Sequence, residues 1–331
     1  MLRSLYAGIS GMKVNQEKLD IIANNIANVG TTAFKSSRIR FEDMVSQSMS
    51  DASKSSTNTG GVNPKQIGLG VQVAGIDTMV GQGMMQPTSR TLDVAIDGEG
   101  YLMVGKGAIT GSVTLTGDQI NKSGFDISYT RDGALTLDDA GHLLTSDGQR
   151  VLGYAMVGDS ISYDTTTGAL KTNFISANGT VAPVADTKLI PLSIPDTVKD
   201  AAGVLQRVTT YSIEKDGVIK AVLADGSVAA VGQIAMASFK NPAGLSKIGK
   251  NEYVKTSNSG EPVIKSGTGA AATADNSKGY GDMLSGMLEM SNVDLAEQFT
   301  DMIVASRAFQ AMGKTITTGD EILQDIIGLK R

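Results

Sequence analysis

The sequence lacks the residue types on which most protein chemistry depends. It contains no cysteine, no tryptophan and one histidine, and aromatic residues make up 5% of its 331 residues. Without cysteine, a cysteine-derived cross-link is excluded, and a lone histidine has few partners for a metal site or a catalytic triad. The composition argues against an enzyme, and we predict no catalytic residue, no metal and no cofactor.

Strong positive charge and long apolar runs are also missing. The net charge of −5 and the pI near 5.0 leave no basic cluster to neutralise phosphates, so we predict no nucleic-acid partner. No run approaches the ~20 apolar residues of a membrane span. The stretch MLRSLYAGISGMK is broken by glycine and lacks a cleavage site, so no cleaved signal peptide is predicted. The absence of cysteine suits a cytosolic protein and equally an exported one.

The few candidates for chemistry have structural interpretations. His142 lies in DDAGHLLTSDG between two turn signals, and we predict a surface hairpin residue. The Asp138–Asp139 pair falls in the same turn. Asp294 and Glu297 open a C-terminal helix, where acidic residues are favoured by the helix dipole.

Both ends of the chain carry a heptad pattern of apolar residues, which favours supercoiled helix packing. At the N-terminus the repeat is Leu5, Met12, Leu19 and Ile26, with Ile9 and Ala23 at the second position. At the C-terminus it is Leu295, Met302, Phe309, Ile316 and Leu323, with Phe299 beside it. We call these residues the heptad stripe. Two core helices of one globular domain would show the same pattern, but Gly8 and Gly11 weaken the N-terminal helix by roughly 1 kcal/mol each.

Three asparagines stand at the end of the N-terminal helix, in LDIIANNIANVG. Asparagine is a poor helix former because its amide competes for nearby backbone groups. Capping of the last turn before Gly30 explains Asn28. For Asn24 and Asn25 we favour hydrogen bonds between subunits over simple exposure to solvent.

The middle of the chain is typical of antiparallel β structure. Short apolar segments alternate with Asp-Gly dipeptides, which supply the positive φ angles of tight hairpins. These dipeptides begin at Asp97, Asp132, Asp147, Asp216 and Asp225. The prediction is an α+β chain with four parts: helix 1–30, a linker over 31–75 with partly extended or loop structure, a central all-β domain over 76–285, and helix 286–331. Surface excursions are expected near 105–125 and 158–205.

Three blocks of the sequence resemble the rod-and-hook family of axial proteins of the bacterial flagellum. They are LRSLYAGISGMKVNQEKLDIIANNIANVGTTAFKSSRIRFEDM (2–44), the pair RTLDVAIDGEGYLMV (90–104) and YTRDGALTLDDAGHLLTSDGQRVLGY (129–154), and LEMSNVDLAEQFTDMIVASRAFQAMGKTITTGDEILQDIIGLKR (288–331). IGLGVQVAGI (67–76) and SNVDLAEQFTDMIVA look more like hook members, in a short Gram-positive-like form. Distal rod members are the alternative.

This resemblance implies a structural subunit of an open helical homopolymer, the tubular hook that transmits torque from rod to filament as a flexible universal joint. The terminal helices would pair as a coiled-coil-like inner domain, with an outer domain reduced or absent. Implied partners are further copies of the chain, the distal rod, the hook cap, the hook–filament junction and hook-length-control proteins, and the flagellar type III export apparatus. The implied location is the extracellular hook, without membrane insertion. A β-rich hydrolase and an adhesin-like binding module are the competing hypotheses.

Overall fold

The structure, a computed structural model, describes residues 2–54, 60–116, 119–164, 168–177, 183–199, 203–269 and 280–329. The chain divides into two compact units. Unit 1 comprises Met1–Gly30, Lys35–Met79 and Val293–Arg331, and unit 2 comprises Thr31–Phe34 and Val80–Asn292. The chain therefore passes between the units four times.

Two long helices belong to unit 1, as the heptad pattern predicted. Helix α1 spans Leu2–Ala27 and helix α2 spans Leu295–Gly328. The Asp294 carboxylate caps α2 by accepting hydrogen bonds from the backbone N–H groups of Ala296 (2.8 Å) and Glu297 (3.3 Å). Asp294 is thus part of the helix start. A short 3-10 helix, Pro242–Gly244, lies in unit 2.

The remaining regular structure consists of antiparallel strands. In chain order they are β1 Ser37–Asp43, β2 Ser46–Ser50, β3 Lys65–Gly68, β4 Val71–Thr78, β5 Met85–Pro87, β6 Val94–Asp97, β7 Tyr101–Gly107, β8 Val113–Thr116, β9 Gln119–Ser123, β10 Phe125–Thr130, β11 Thr136–Leu137, β12 Leu143–Leu144, β13 Arg150–Met156, β14 Ile161–Tyr163, β15 Leu170–Thr172, β16 Ala185–Pro191, β17 Thr197–Lys199, β18 Leu205–Ile213, β19 Val218–Leu223, β20 Val228–Ile234, β21 Met236–Ser238, β22 Ser246–Gly249, β23 Glu252–Val254, β24 Val263–Ile264, β25 Asp282–Ser285 and β26 Met287–Glu289. The α+β class is confirmed.

The segment 31–75, predicted as a linker with partly extended or loop structure, contains β1, β2, β3 and the start of β4 in its described part. Strand β1 pairs with β4 and β2 pairs with β3, both antiparallel, within unit 1. An ion pair between Arg40 and Asp77 (2.6 Å) joins β1 to β4 across the ladder. Strands β2 and β3 were concealed by their polar composition, because they are largely exposed and carry little apolar alternation.

Unit 2 is built on a large antiparallel sheet whose main path is β17-β18-β19-β20-β13-β7-β10-β23-β22. Alternate residues of β7 enter two different apolar clusters. Leu102 and Val104 join one cluster, and Tyr101 and Met103 join the other. Since successive side chains of a strand point to opposite faces, the sheet is buried on both sides at β7.

Three of the five Asp-Gly dipeptides close hairpins as predicted. They connect β12 to β13, β18 to β19 and β19 to β20, with the glycine φ at +77° or +82°. The prediction is wrong for Asp97-Gly98 and Asp132-Gly133, which are followed by strands that pair elsewhere. The expected excursions are also partly sheet, because β16 pairs with both β13 and β8. Residues 117–118, 165–167, 178–182 and 200–202 of these regions lie outside the described part.

Candidate functional site at the terminal helices

Helices α1 and α2 pack against each other in antiparallel order, and glycines mark their closest approach. A Cβ atom at Gly8 would lie 3.1 Å from Cγ1 of Ile316, and one at Gly11 would lie 3.2 Å from Sδ of Met312. One turn before Gly8 on α1, Cδ2 of Leu5 would lie 3.0 Å from a Cβ at Gly319 of α2. The glycines that weaken an isolated helix therefore make room for the partner helix.

Polar contacts continue the same interface toward the end of α1. The Lys18 ammonium lies 3.4 Å from the Asp301 carboxylate. The Asn25 side chain is only 1% exposed and donates from Nδ2 to Oε1 of Gln298 on α2 (3.0 Å). It also donates to the carbonyl of Ser37 (2.9 Å) and accepts from the Ser37 N–H (3.0 Å). Asn25 thereby binds α2 and the start of β1 to α1.

The three asparagines therefore have separate roles within one chain. Asn25 uses its amide inside the chain, in contacts with Gln298 and Ser37. The predicted hydrogen bonds between subunits stay a prediction. Asn28 donates from Nδ2 to the Asn24 carbonyl (2.9 Å) and to Asn24 Oδ1 (3.0 Å), which closes the last helical turn as predicted for Asn28. Asn24 is exposed.

The heptad stripe and the three asparagines differ in their exposure in the single chain. The half-buried residues are Leu5, Met12, Leu19, Ile26, Asn28, Met302, Ile316 and Leu323. The exposed residues are Ile9, Ala23, Asn24, Leu295, Phe299 and Phe309, and Asn25 is buried. The pattern missed the buried line of α1, which is Gly8, Gly11, Val14, Ile22 and Asn25. These positions are separated by three, three, eight and three residues, so they share one face of the helix.

An apolar patch remains uncovered at the start of α2. Leu295, Phe299 and Ile303 are spaced by four residues, so they share one face of the helix. Their exposed fractions are 40%, 50% and 63%. Ile9 of α1 is likewise 52% exposed. Exposed apolar surface of this kind is typical of protein–protein contact sites.

Outside the terminal helices, we examined the described residues for metal sites, membrane-spanning helices and the surroundings of His142. Among the described residues, no group of three or more His, Asp or Glu side chains is placed to hold a metal. No described helix is long and apolar enough to cross a membrane. His142 is 3% exposed, so its predicted surface position is wrong. Its Nδ1 lies 3.4 Å from the Tyr163 hydroxyl, which donates to the Pro191 carbonyl (2.7 Å).

Burial of His142 predicts a pH-dependent stability. Desolvation lowers the pKa of His142, and Arg150 lowers it further, against the opposing charge of Asp138. In the unfolded chain the imidazole of His142 has its ordinary pKa of about 6.5, whereas its pKa in the folded protein is lower. As the pH falls from about 6.5 through the folded pKa, the unfolded state binds the proton more readily, so the free energy of unfolding should decrease. Urea unfolding between pH 7 and 5 should show this slope, and His142→Gln should reduce it. An unchanged slope in the variant would assign the effect to other groups.

The chain thus combines two terminal helices that pack together with a unit of antiparallel strands, and part of the apolar surface of α2 is exposed. Residues 5–35 match the family described as flagella basal body rod protein. Residues 95–221 match the flagellar hook protein FlgE/F/G D1 domain, and residues 284–329 match the flagellar basal body rod FlgEFG protein C-terminal family. The chain belongs to the flagellar rod and hook family.

Relatives in two organisms place the chain in this family over its whole length. It is 42% identical to the flagellar basal-body rod protein FlgG of Bacillus subtilis (strain 168), covering 100% of both chains. With the flagellar hook protein FlgE of Borreliella burgdorferi it is 30% identical over 466 aligned positions, again with 100% of both covered. With the FlgG of that organism it is 32% identical over 332 positions.

Family membership carries several consequences. Members are structural components of the flagellar rod and hook and not enzymes. They polymerise into these parts of the flagellum, so self-assembly and flagellar partners are supported for this chain, as is a location in the flagellum.

Proposed function

We propose that the chain is the subunit of the flagellar hook, the flexible tube that transmits torque from rod to filament. The comparison within Borreliella burgdorferi carries this proposal. The 30% identity to the hook protein extends over 466 positions, and the 32% identity to the rod protein extends over 332 positions. The hook alignment therefore contains more identical residues. The chain therefore has more residues in common with the hook protein of that organism than with its rod protein.

The distal rod is the second candidate. The 42% identity to the Bacillus subtilis rod protein FlgG favours it, since both chains are covered completely. The hook alignment, by contrast, is longer than this chain, so part of the Borreliella burgdorferi hook protein has no counterpart here. A hook subunit of this length would have a reduced outer domain or none.

Deletion of the gene followed by electron microscopy of isolated basal bodies separates the two candidates. A hook subunit predicts complete rods that end without a hook, and its purified polymer should form curved tubes. Shortened rods, or straight short polymers, would instead assign the chain to the distal rod. Complementation with the intact gene should restore the missing part and serves as the control.

Assembly and location follow from the same proposal. Residues 1–30 and 293–331, which include both terminal helices, would form the inner domain of the tube. The partners would be further copies of the chain, the distal rod, the hook cap, the hook–filament junction and hook-length-control proteins. The subunit would be exported by the flagellar type III apparatus without a cleaved signal peptide and would act outside the cell.

The exposed part of the heptad stripe is our proposed contact between subunits. Phe299→Ser should leave the unfolding free energy of the monomer within about 1 kcal/mol of wild type, because the side chain is half exposed. Loss of its burial between subunits, roughly 1–2 kcal/mol, should raise the concentration needed for polymerisation about tenfold. Sedimentation of polymer against subunit concentration measures this. Thr300→Ser, on the neighbouring face, is the control. Equal polymerisation of both variants would place Phe299 outside the interface.

A further inference from the structure

Three segments of unit 2 that lie beside the passages between the units meet at one place. They are Thr31–Phe34, residues 81–84 and residues 289–292, and together we call them the junction. The Ala33 N–H donates to the Glu289 carbonyl (2.8 Å), and the Asn292 N–H donates to the Phe34 carbonyl (3.3 Å). The Met290 N–H donates to the Met84 carbonyl (2.8 Å), so all three segments are hydrogen-bonded.

Side chains reinforce these backbone contacts. Oε1 of Glu289 accepts from the Gly83 N–H (2.8 Å), and Nδ2 of Asn292 donates to the Gly81 carbonyl (3.2 Å). The chain after α1 is held by two further side chains of unit 2. The Thr32 hydroxyl donates to Asp132 (3.0 Å), and Asn251 donates from Nδ2 to the Thr32 carbonyl (2.8 Å).

A buried ion pair joins Glu289 of the junction to Arg131, elsewhere in unit 2. Nε of Arg131 is 3.1 Å from Oε2 of Glu289, with side-chain exposures of 5% and 0%. The Arg131 guanidinium also donates to the carbonyl of Gly98 (2.5 Å) and lies 5.7 Å from the centroid of the Tyr101 ring. Burial of two charges is costly unless their geometry is good. The pair therefore fixes the positions of Arg131 and Glu289 more than it stabilises the fold.

We propose that the junction is the element through which load passes between the two units of each subunit, and that Arg131 and Glu289 are its positioning residues. The chain passes between the units at 30/31, 34/35, 79/80 and 292/293, and each passage lies within a few residues of the junction. Because hydrogen bonds link the three segments, the chain passages next to them should resist an applied force together. Passages without such links would extend independently of one another. This inference depends on the torque-bearing family and holds for a hook or a rod subunit.

Two glycines in the same segment provide a matched test. A Cβ at Gly83 would overlap the carbonyl oxygen of Met290, whereas a Cβ at Gly81 would meet nothing within 4 Å. Gly83→Ala should therefore open the junction and Gly81→Ala should not. Neither glycine has a positive φ that would complicate the comparison.

The experiment combines hydrogen exchange with swimming under load. In purified Gly83→Ala protein, the amides of Ala33 and Met290 should exchange about tenfold faster than in wild type, while those of β7 and β13 stay unchanged. Cells carrying this variant should swim normally in dilute medium and lose speed in viscous medium. Gly81→Ala should match wild type in both assays.

Two outcomes would overturn the proposal. One is unchanged protection at the junction in Gly83→Ala, and the other is a loosened junction with wild-type speed in viscous medium. If the amides of β7 also lose protection, the variant has lost its fold. The proposal is then tested with the double variant Thr32→Val and Asn251→Ala, which removes only two hydrogen bonds. Hydrogen exchange at the junction and swimming speed in viscous medium are measured as before.

Discussion

Replacement of Arg131 by methionine is expected to lower the free energy of unfolding of unit 2 by roughly 3–5 kcal/mol. Methionine keeps much of the side-chain volume but leaves the Glu289 carboxylate, which is 0% exposed, without its cation. The cost therefore comes from a buried charge that has lost its partner. Urea unfolding followed by circular dichroism measures the change through the shift of the midpoint at constant slope.

An exposed ion pair gives the matched control. Lys255 and Glu261 lie 2.7 Å apart with side-chain exposures of 49% and 57%. Lys255→Met should change the free energy of unfolding by no more than about 1 kcal/mol, because solvent screens this pair. Replacing both Arg131 and Glu289 by methionine should recover part of the loss. A loss below 1 kcal/mol for Arg131→Met alone would show that Glu289 finds another partner.

Gly8→Leu is the second substitution with a large expected effect. The added side chain would enter the space of Ile316, whose branched Cβ makes it stiff, because the first new atom already lies 3.1 Å from its Cγ1. We expect a loss of roughly 1–3 kcal/mol in the pairing of α1 with α2. Polymerisation, which requires the inner domain in our proposal, should fail at wild-type concentrations.

The control for this substitution lies on the other helix of the pair. A Cβ at Gly313 would meet nothing within 4 Å, so Gly313→Ala should stabilise α2 by up to about 1 kcal/mol. Hydrogen exchange of the α1 amides distinguishes the two variants, with faster exchange expected only for Gly8→Leu. Normal polymers of Gly8→Leu would mean that the helices can separate at this point without loss of assembly.

Features that depend on short stretches of sequence could be predicted well. The helical periods at both ends located α1 and α2, and acidic residues marked the start of α2 at Asp294. Three Asp-Gly hairpins followed from their turn chemistry. The lack of cysteine and the single histidine argued against catalysis, and the terminal motifs carried the resemblance to the family.

Features that depend on contacts between residues far apart in the sequence could not be predicted. The sequence by itself determined where the helices lie and where three hairpins turn, because period, capping and turn chemistry act over a few residues. Only the tertiary structure decided that Gly8 and Gly11 face α2, that Asn25 binds Gln298 within the chain, and that Arg131 meets Glu289. These partners are more than a hundred residues apart, and a helix or strand carries no local signal of which distant residue its register will bring into contact.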